Sequence, residues 1–472
     1  MTTTSLPTLP TAIVIFGGTG NLAETKLLPA LFNLYCDDKL PEAFTIIGLS
    51  RKPFTDADYQ AYVHEVIVEK VVGADEDKLQ KFTENIHYAS GSFDDALAYE
   101  KIKNHLQTFD DTRNVCTNKL FYLAVPPNLY SDIFKNLKES DAMKLCDGVA
   151  SWSRLLVEKP FGSDLVTAQA LEKQLCELFT EEQIYRIDHY LAKDTIENIV
   201  SLRFANSILA DSWNNSRIEH IALRLFESVD VSARGSFYDG IGALRDVGQN
   251  HMLQMLALLT MEKADMRDAK AVRAARLAAL TSLSMHDTDL KERGQYEGYT
   301  ETVGVAPGSQ TETYFKIGTH IESDLWHDVS VTLESGKALK EAKAEAMITF
   351  RPTDTCTCGF DVAPHSHRNV LTITFSPEQM ITLSMWIKKP GYGFMLEKRD
   401  LVLTRNEGEV FRSPEAYERV LHDCIIGDQT RFVSGGEVEA AWNFITPILH
   451  AFPLLPLHTY KKGSHGPEDT KS

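Results

Sequence analysis

Short apolar runs recur along the first part of the chain, each closed by glycine, proline or charge. Ala12–Phe16, Phe44–Leu49, Leu120–Val125 and Leu155–Val157 are the clearest, and the shorter, mixed Gln183–Ile187 ends the series. A run without polar alternation marks a strand buried on both faces, the habit of parallel sheets. Longer helix-like stretches separate the runs, although 53–118 is polar and charged with little specific signal. This strand–helix alternation over 1–185 predicts a doubly wound α/β domain.

After residue 200 the texture changes. Ile218–Phe226 alternates loosely, and Phe237–Met261 reads as one long helix whose distal half is apolar all round, hence buried. The charged, alanine-rich 263–292 reads as a surface helix. Strands follow at Thr311–Ile317, Asp328–Glu334, Ala346–Arg351, Val370–Phe375 and Met380–Ile387. With little helix between them, they predict an α+β domain built on a large, mainly antiparallel sheet. One face of that sheet needs a cover, either helices or a second copy of the chain. Pro414–Ile426 and Glu437–His450 read as closing helices, and the polar stretch after Lys461 as a disordered tail. The division is 1–185, 186–460 and 461–472.

Composition narrows the partners. A chain of 472 residues exceeds one ordinary domain, and its net charge of −18 disfavours nucleic acid and anionic membranes. A phosphate ligand would have to be held by a local cluster of cations. No apolar run approaches the roughly 18 residues of a membrane span. MTTTSLPTLP has no basic n-region, so a cytoplasmic chain is expected. The seven scattered cysteines, odd in number, predict reduced thiols.

Candidate chemistry begins where the first strand ends. Gly17-Gly18-Thr19-Gly20-Asn21-Leu22 follows it at once and leads into a helix-like stretch to Tyr35. A glycine turn before a helix N-terminus lets backbone N–H groups approach a pyrophosphate. Pro29 implies a kink or a late helix start. Arg51 and Lys52 close the second strand where an NAD site carries an acid, so a 2′-phosphate fits and NADP is the expected cofactor. Lys159 stands at a strand's C-terminal end, in the crevice where such sheets bind ligand. Asp188, His189, Tyr190 and Lys193 crowd into one short stretch. A helical continuation from Lys193 to Val200 would set His189 and Lys193 on one face, two cations suited to a phosphate dianion. His251, with Asp246 and Asn250, lies at the polar end of the apolar helix. Such groups are costly to bury unless partnered, and His251 is the candidate general base. Lys337 occupies a tight turn at a strand end. Cys356 and Cys358, with His365 and His367 nearby, offer zinc-type donors in no recognisable pattern.

These segments together resemble the glucose-6-phosphate dehydrogenase family. The matching stretches are IVIFGGTGNLAETKLLPAL, EKPFG, QIYRIDHYLAKDTIENIVSLRFAN, LRDVGQNHMLQML, SGKALKEAKAE, KKPG, AYERVLHD and WNFITPILH, in the family's order. The resemblance implies a Rossmann domain joined to a β+α domain, assembling as a homodimer or homotetramer through the large sheet. It implies that His251 removes the C1 hydroxyl proton of glucose 6-phosphate and that Asp188 orients it. His189, Tyr190 and Lys193 match the phosphate binders. Glu227, Asp246 and Lys337 match residues around the sugar hydroxyls and the phosphate side of the pocket. Lys159 matches the lysine between substrate and nicotinamide, and Arg51 the arginine at the adenosine 2′-phosphate. Asn21, Ala192 and Ala342 depart from the family's aspartate, glycine and arginine. The implied activity is NADP-dependent oxidation of C1 to 6-phospho-D-glucono-1,5-lactone. A dehydrogenase of non-phosphorylated sugars and a catalytically silent NADP sensor are the alternatives.

Overall fold

The predicted apolar runs form one parallel sheet. Its strands are β1 (Thr11–Phe16), β2 (Phe44–Ser50), β3 (Ile86–Ser90), β4 (Asn118–Leu123), β5 (Ser153–Val157) and β6 (Ile184–Arg186), in the order β3-β2-β1-β4-β5-β6. Every residue of β1, β2 and β4 is buried, as expected of central strands covered on both faces. Helices start at capping side chains. Thr55 and Asp58 form a capping box at Asp56–Lys70, and Asp164 and Thr167 do so at Leu165–Cys176. The computed structural model describes residues 6–146, 150–285, 290–353, 367–393, 395–404 and 413–467.

The second sheet is larger. It comprises β7 (Ile218–Phe226), β8 (Leu283–Ser284), β9 (Leu290–Tyr296), β10 (Tyr314–Ile321), β11 (Ser330–Gly336), β12 (Lys343–Phe350), β13 (Val370–Ser376), β14 (Met380–Lys388), β15 (Leu396–Thr404) and β16 (Leu457–Tyr460). Its order is β15-β14-β13-β12-β7-β11-β10-β9-β16, with β8 beside β10. Pairing is antiparallel except for β7 with β11 and β9 with β16. The apolar helix Leu253–Thr260 is wholly buried. Helix Ala416–Ile426 returns to the first domain, where Cys424 and Ile425 carbonyls accept from Arg154. The closing helix Gly435–Ala451 is pinned by Arg276 Nε donating to Glu437 at 2.7 Å, both side chains buried.

Several expectations need correction. Residues 188–193 form turns, with Lys193 as N-cap of helix Asp194–Ala205, so His189 and Lys193 share no helical face. The Asp188 carboxylate accepts the Tyr190 N–H at 2.9 Å, which competes with helix formation there. The long helix expected from Phe237 is broken after Tyr238 by Gly240 and Gly242, with φ of +82° and +77°. The surface helix ends at Thr281 and gives way to β8 and β9. Cys116 and Cys146, brought to a Cα separation of 5.9 Å by neighbouring loops, form a disulfide, while Cys176 and Cys424 are free thiols. The described part of the tail packs on the fold: Ser464 bridges to Leu339 and Pro467 abuts Gly294. Pro29 marks a late start, at the first turn of helix Leu28–Cys36 after a widened turn over Ala23–Leu27.

Candidate active site

The glycine turn after β1 is built for close approach. Gly17 has φ +88°, and a Cβ there would sit 2.6 Å from the Ala124 carbonyl oxygen. A Cβ on Gly18 would meet the Tyr59 hydroxyl at 2.8 Å, and that hydroxyl donates to the Gly18 carbonyl. Thr19 Oγ1 lies 2.7 Å from Ser50 Oγ, tying the turn to the end of β2. Gly20 accepts the Glu24 N–H, Asn21 is exposed, and Leu22 reaches the neighbouring cavity. Arg51 stands exposed just beyond β2, and Lys52 lies over the rings of Phe54 and Tyr62. The turn, the free helix start and the cation beside it suit a dinucleotide diphosphate carrying a further phosphate.

Beside this turn opens a cavity of about 450 Å³, lined by Leu22, Lys159, His189, Tyr190, Glu227, Asp246, His251 and Lys337 among others. The site is floored by His251, which comes from a widened helical segment, Leu244–Met252, a geometry that re-aims side chains and recurs at functional sites. Its Nδ1 meets Asp188 Oδ1 at 2.5 Å, and both residues are almost fully buried. Its Nε2 lies 3.0 Å from Lys159 Nζ. An ammonium can only donate, so Nε2 carries the lone pair and Nδ1 the proton. Tyr190 stacks on the His251 ring at 4.3 Å, and His189 meets it edge-on at 4.5 Å.

The rim is a charge network. Lys159 Nζ donates to the Asp246 carbonyl at 3.1 Å, and Lys337 Nζ lies 3.3 Å from Asp246 Oδ2 while also pairing with Glu227. Lys193 sits over the Tyr190 ring, 3.8 Å from its centroid.

Burial sets the protonation states. It lowers the pKa of His251, assisted by Lys159 and opposed by Asp188, so the imidazole is neutral near pH 7. Burial alone would raise Asp188, but His251, His189 and the Tyr190 N–H outweigh it and hold the carboxyl below its usual range. Burial and the cations around it push His189 down to about 3. Burial likewise opposes ionisation of Asp246, yet Lys159 and Lys337 keep its pKa low. A neutral imidazole backed by a carboxylate, its unprotonated nitrogen reached by Lys159 at the edge of a polar cavity, can accept a proton from a weakly acidic hydroxyl.

Arg234, Arg245, Glu158 and Tyr417 also line the cavity without having been singled out in the sequence. Arg245 lies within LRDVGQNH and was available as a signal. Its guanidinium donates to Ser163 and Ile241 carbonyls. Lone residues such as Arg234 and Tyr417 carry no local pattern. Of the candidate zinc donors, Cys356, Cys358 and His365 fall outside the described residues.

Two family models cover the chain. The glucose-6-phosphate dehydrogenase NAD binding domain matches residues 14–198, and the C-terminal domain of the same enzyme matches residues 200–472. The chain belongs to the glucose-6-phosphate dehydrogenase family. It is 35% identical to glucose-6-phosphate 1-dehydrogenase of Cyberlindnera jadinii, over 97% of this chain and 93% of that protein. With the Bacillus subtilis enzyme it shares 34% identity, over 97% of this chain and 95% of the other. A solved glucose-6-phosphate dehydrogenase in complex with its substrate glucose 6-phosphate superposes with TM-score 0.88 at 32% identity, covering 98% of this chain and 97% of that one. The Mycobacterium avium enzyme gives 0.83 at 30% identity, covering 97% and 95%. Family membership accounts for both sheets and for the join between them near residue 200.

Proposed function

We propose that the protein oxidises C1 of glucose 6-phosphate to 6-phospho-D-glucono-1,5-lactone, with NADP as the cofactor. The observation that carries this reading is the buried Asp188–His251 pair whose Nε2 faces the cavity. His251 takes the C1 hydroxyl proton, and Asp188 holds the tautomer and stabilises the imidazolium that forms. His189, Tyr190 and Lys193 bind the phosphate. Glu227, Asp246 and Lys337 hold the sugar hydroxyls and the phosphate side. Lys159 lies between sugar and nicotinamide. Bound NADP supplies a hydride acceptor. Gly17, Gly18, Thr19, Gly20, Asn21 and Leu22 cradle its diphosphate, and Arg51 meets the 2′-phosphate.

Residues 1–185 form the nucleotide-binding domain, and 186–460 carry the substrate side and the oligomer contact. The protein works as a homodimer or homotetramer in the cytoplasm. Exposed Met385 and Ile387 on β14, with Leu401, Val402 and Leu403 on β15, support self-association through the large sheet. No helix among the described residues is long and apolar enough to cross a membrane. The test is the absorbance of reduced nicotinamide with glucose 6-phosphate or glucose, each with NADP or NAD. The reading expects turnover with the phosphorylated sugar and NADP. Equal turnover of unphosphorylated glucose, or none with either sugar, overturns it.

A further inference from the structure

Away from the cavity, at the edge of the first sheet, three metal-type donors converge from three elements. Asp56 opens helix Asp56–Lys70, His87 lies on the edge strand β3, and His105 lies on helix Ala96–Arg113. One ligand atom from each lies within 4.8 Å of the others. We propose that Asp56, His87 and His105 bind one divalent first-row transition ion, with Zn²⁺ as the reference case.

The donor set selects the ion. Two imidazoles and one carboxylate suit zinc and its neighbours, whereas magnesium and calcium call for oxygen ligands throughout. Three protein ligands leave a further position for water. The spacing is close to what coordination requires. His87 Nδ1 and Asp56 Oδ2 are 2.9 Å apart. Two ligands of a tetrahedral zinc with bonds of about 2.0–2.1 Å sit about 3.3 Å apart. The His87 and His105 rings face each other, centroids 5.1 Å apart and planes at 32°.

The groups behind the donors are also in place. Asp56 Oδ1 accepts the Tyr88 N–H at 2.8 Å, and His105 interacts with the Tyr88 backbone. Such outer contacts fix ligand orientation in metal sites. The side chains of His87 and Asp56 are 37% and 41% exposed, so an ion enters without opening the fold. The ion would join β3 to two helices beside Tyr88, whose hydroxyl donates to the Lys52 carbonyl at 2.8 Å next to Arg51. Asp110, Cys116 and Cys146 form the other candidate group among the described residues, but there the two sulfurs bind each other.

The experiment is calorimetric titration of the chelator-treated full-length protein with Zn²⁺, repeated with Co²⁺ while recording visible absorption. The wild type should bind at Asp56, His87 and His105 and give a ligand-field band with Co²⁺. His105→Gln and Asp56→Asn, checked for native circular dichroism, should each weaken that event by more than the roughly 10–100-fold lost with an outer contact, and abolish the band. The proposal is overturned if the wild type shows no saturable binding, or if both variants bind as tightly as the wild type. Should His105→Gln fail to fold, His87→Gln takes its place with the same two outcomes.

Discussion

Nδ1 of His251 lies 2.5 Å from Oδ1 of Asp188, and the other oxygen of that carboxylate is buried with no hydrogen-bond partner among the described residues. A carboxylate shared between the Tyr190 N–H and one imidazole is costly to bury, and stability alone explains it poorly. It is explained if the imidazole must become cationic during turnover. His251→Asn should therefore lower kcat by about 10²–10⁴-fold, the usual worth of a positioned base. The Michaelis constant for glucose 6-phosphate should stay within a few-fold. Steady-state kinetics decides the matter, and near-normal kcat would remove the base assignment.

Asp188→Asn tests the pair rather than the base alone. Burial and Lys159 already lower the His251 pKa, and Asp188 is what opposes them. Without the carboxylate that pKa should drop further. The acid limb of kcat/KM, which reports protonation of the free base, should then move to lower pH while the plateau falls. A pH–rate profile on wild type and variant is the measurement. An unmoved acid limb would mean that the two groups do not titrate together.

Strands β1, β2 and β4 were legible because they are apolar on both faces, and the glycine turn because φ +88° at Gly17 admits little else. β3 was missed within 53–118, since Ile86–Ser90 is a short edge strand with His87 and Ser90 half-exposed. β15 hid because its face is exposed and charged residues interrupt it. The Asp188–His251 contact spans 63 positions and follows from the joining of two sheets, which no local spacing encodes. Only the resemblance linked them. The helix expected from Lys193 to Val200 forms as Asp194–Ala205, but it does not reach back to His189, because Asp188 accepts the Tyr190 N–H and holds 188–193 in turns.

Arg51 should govern the choice of cofactor. It is exposed at the end of β2, where no acid is available to a ribose 2′-hydroxyl. A charge-assisted hydrogen bond of about 1.5–3 kcal/mol corresponds to roughly 10–100-fold in affinity. Arg51→Ala should raise the Michaelis constant for NADP by that factor and leave the one for NAD nearly unchanged. Parallel titrations of both cofactors check it. Equal losses for both would assign Arg51 to the surface.

Lys193 poses the converse question. Its ammonium sits over the Tyr190 ring, and burial lowers its pKa. As a phosphate ligand it should matter for one substrate only. Lys193→Ala is expected to raise the Michaelis constant for glucose 6-phosphate far more than that for NADP. Proportional loss in both would point to packing of the turn at 188–193 instead.

His189 makes a prediction about stability. Burial and the neighbouring cations hold its pKa at about 3, against 6.5 for an ordinary histidine. Between those values the unfolded chain binds a proton that the folded chain refuses. Unfolding is then favoured as pH falls, so stability is full above pH 6.5 and is lost progressively down to pH 3. The slope from this one residue is at most about 1.4 kcal/mol per pH unit. From pH 7 to pH 5 it removes about 1–2 kcal/mol, because only the part below the ordinary histidine value counts. His189→Gln keeps a polar side chain but cannot take up that proton. The urea midpoint of the wild type should therefore drop more between the two pH values than that of the variant. If both drop equally, His189 is protonated as readily in the folded protein as in the unfolded chain, and a neutral histidine beside Lys159, Lys193 and His251 is the wrong description of the unliganded cavity.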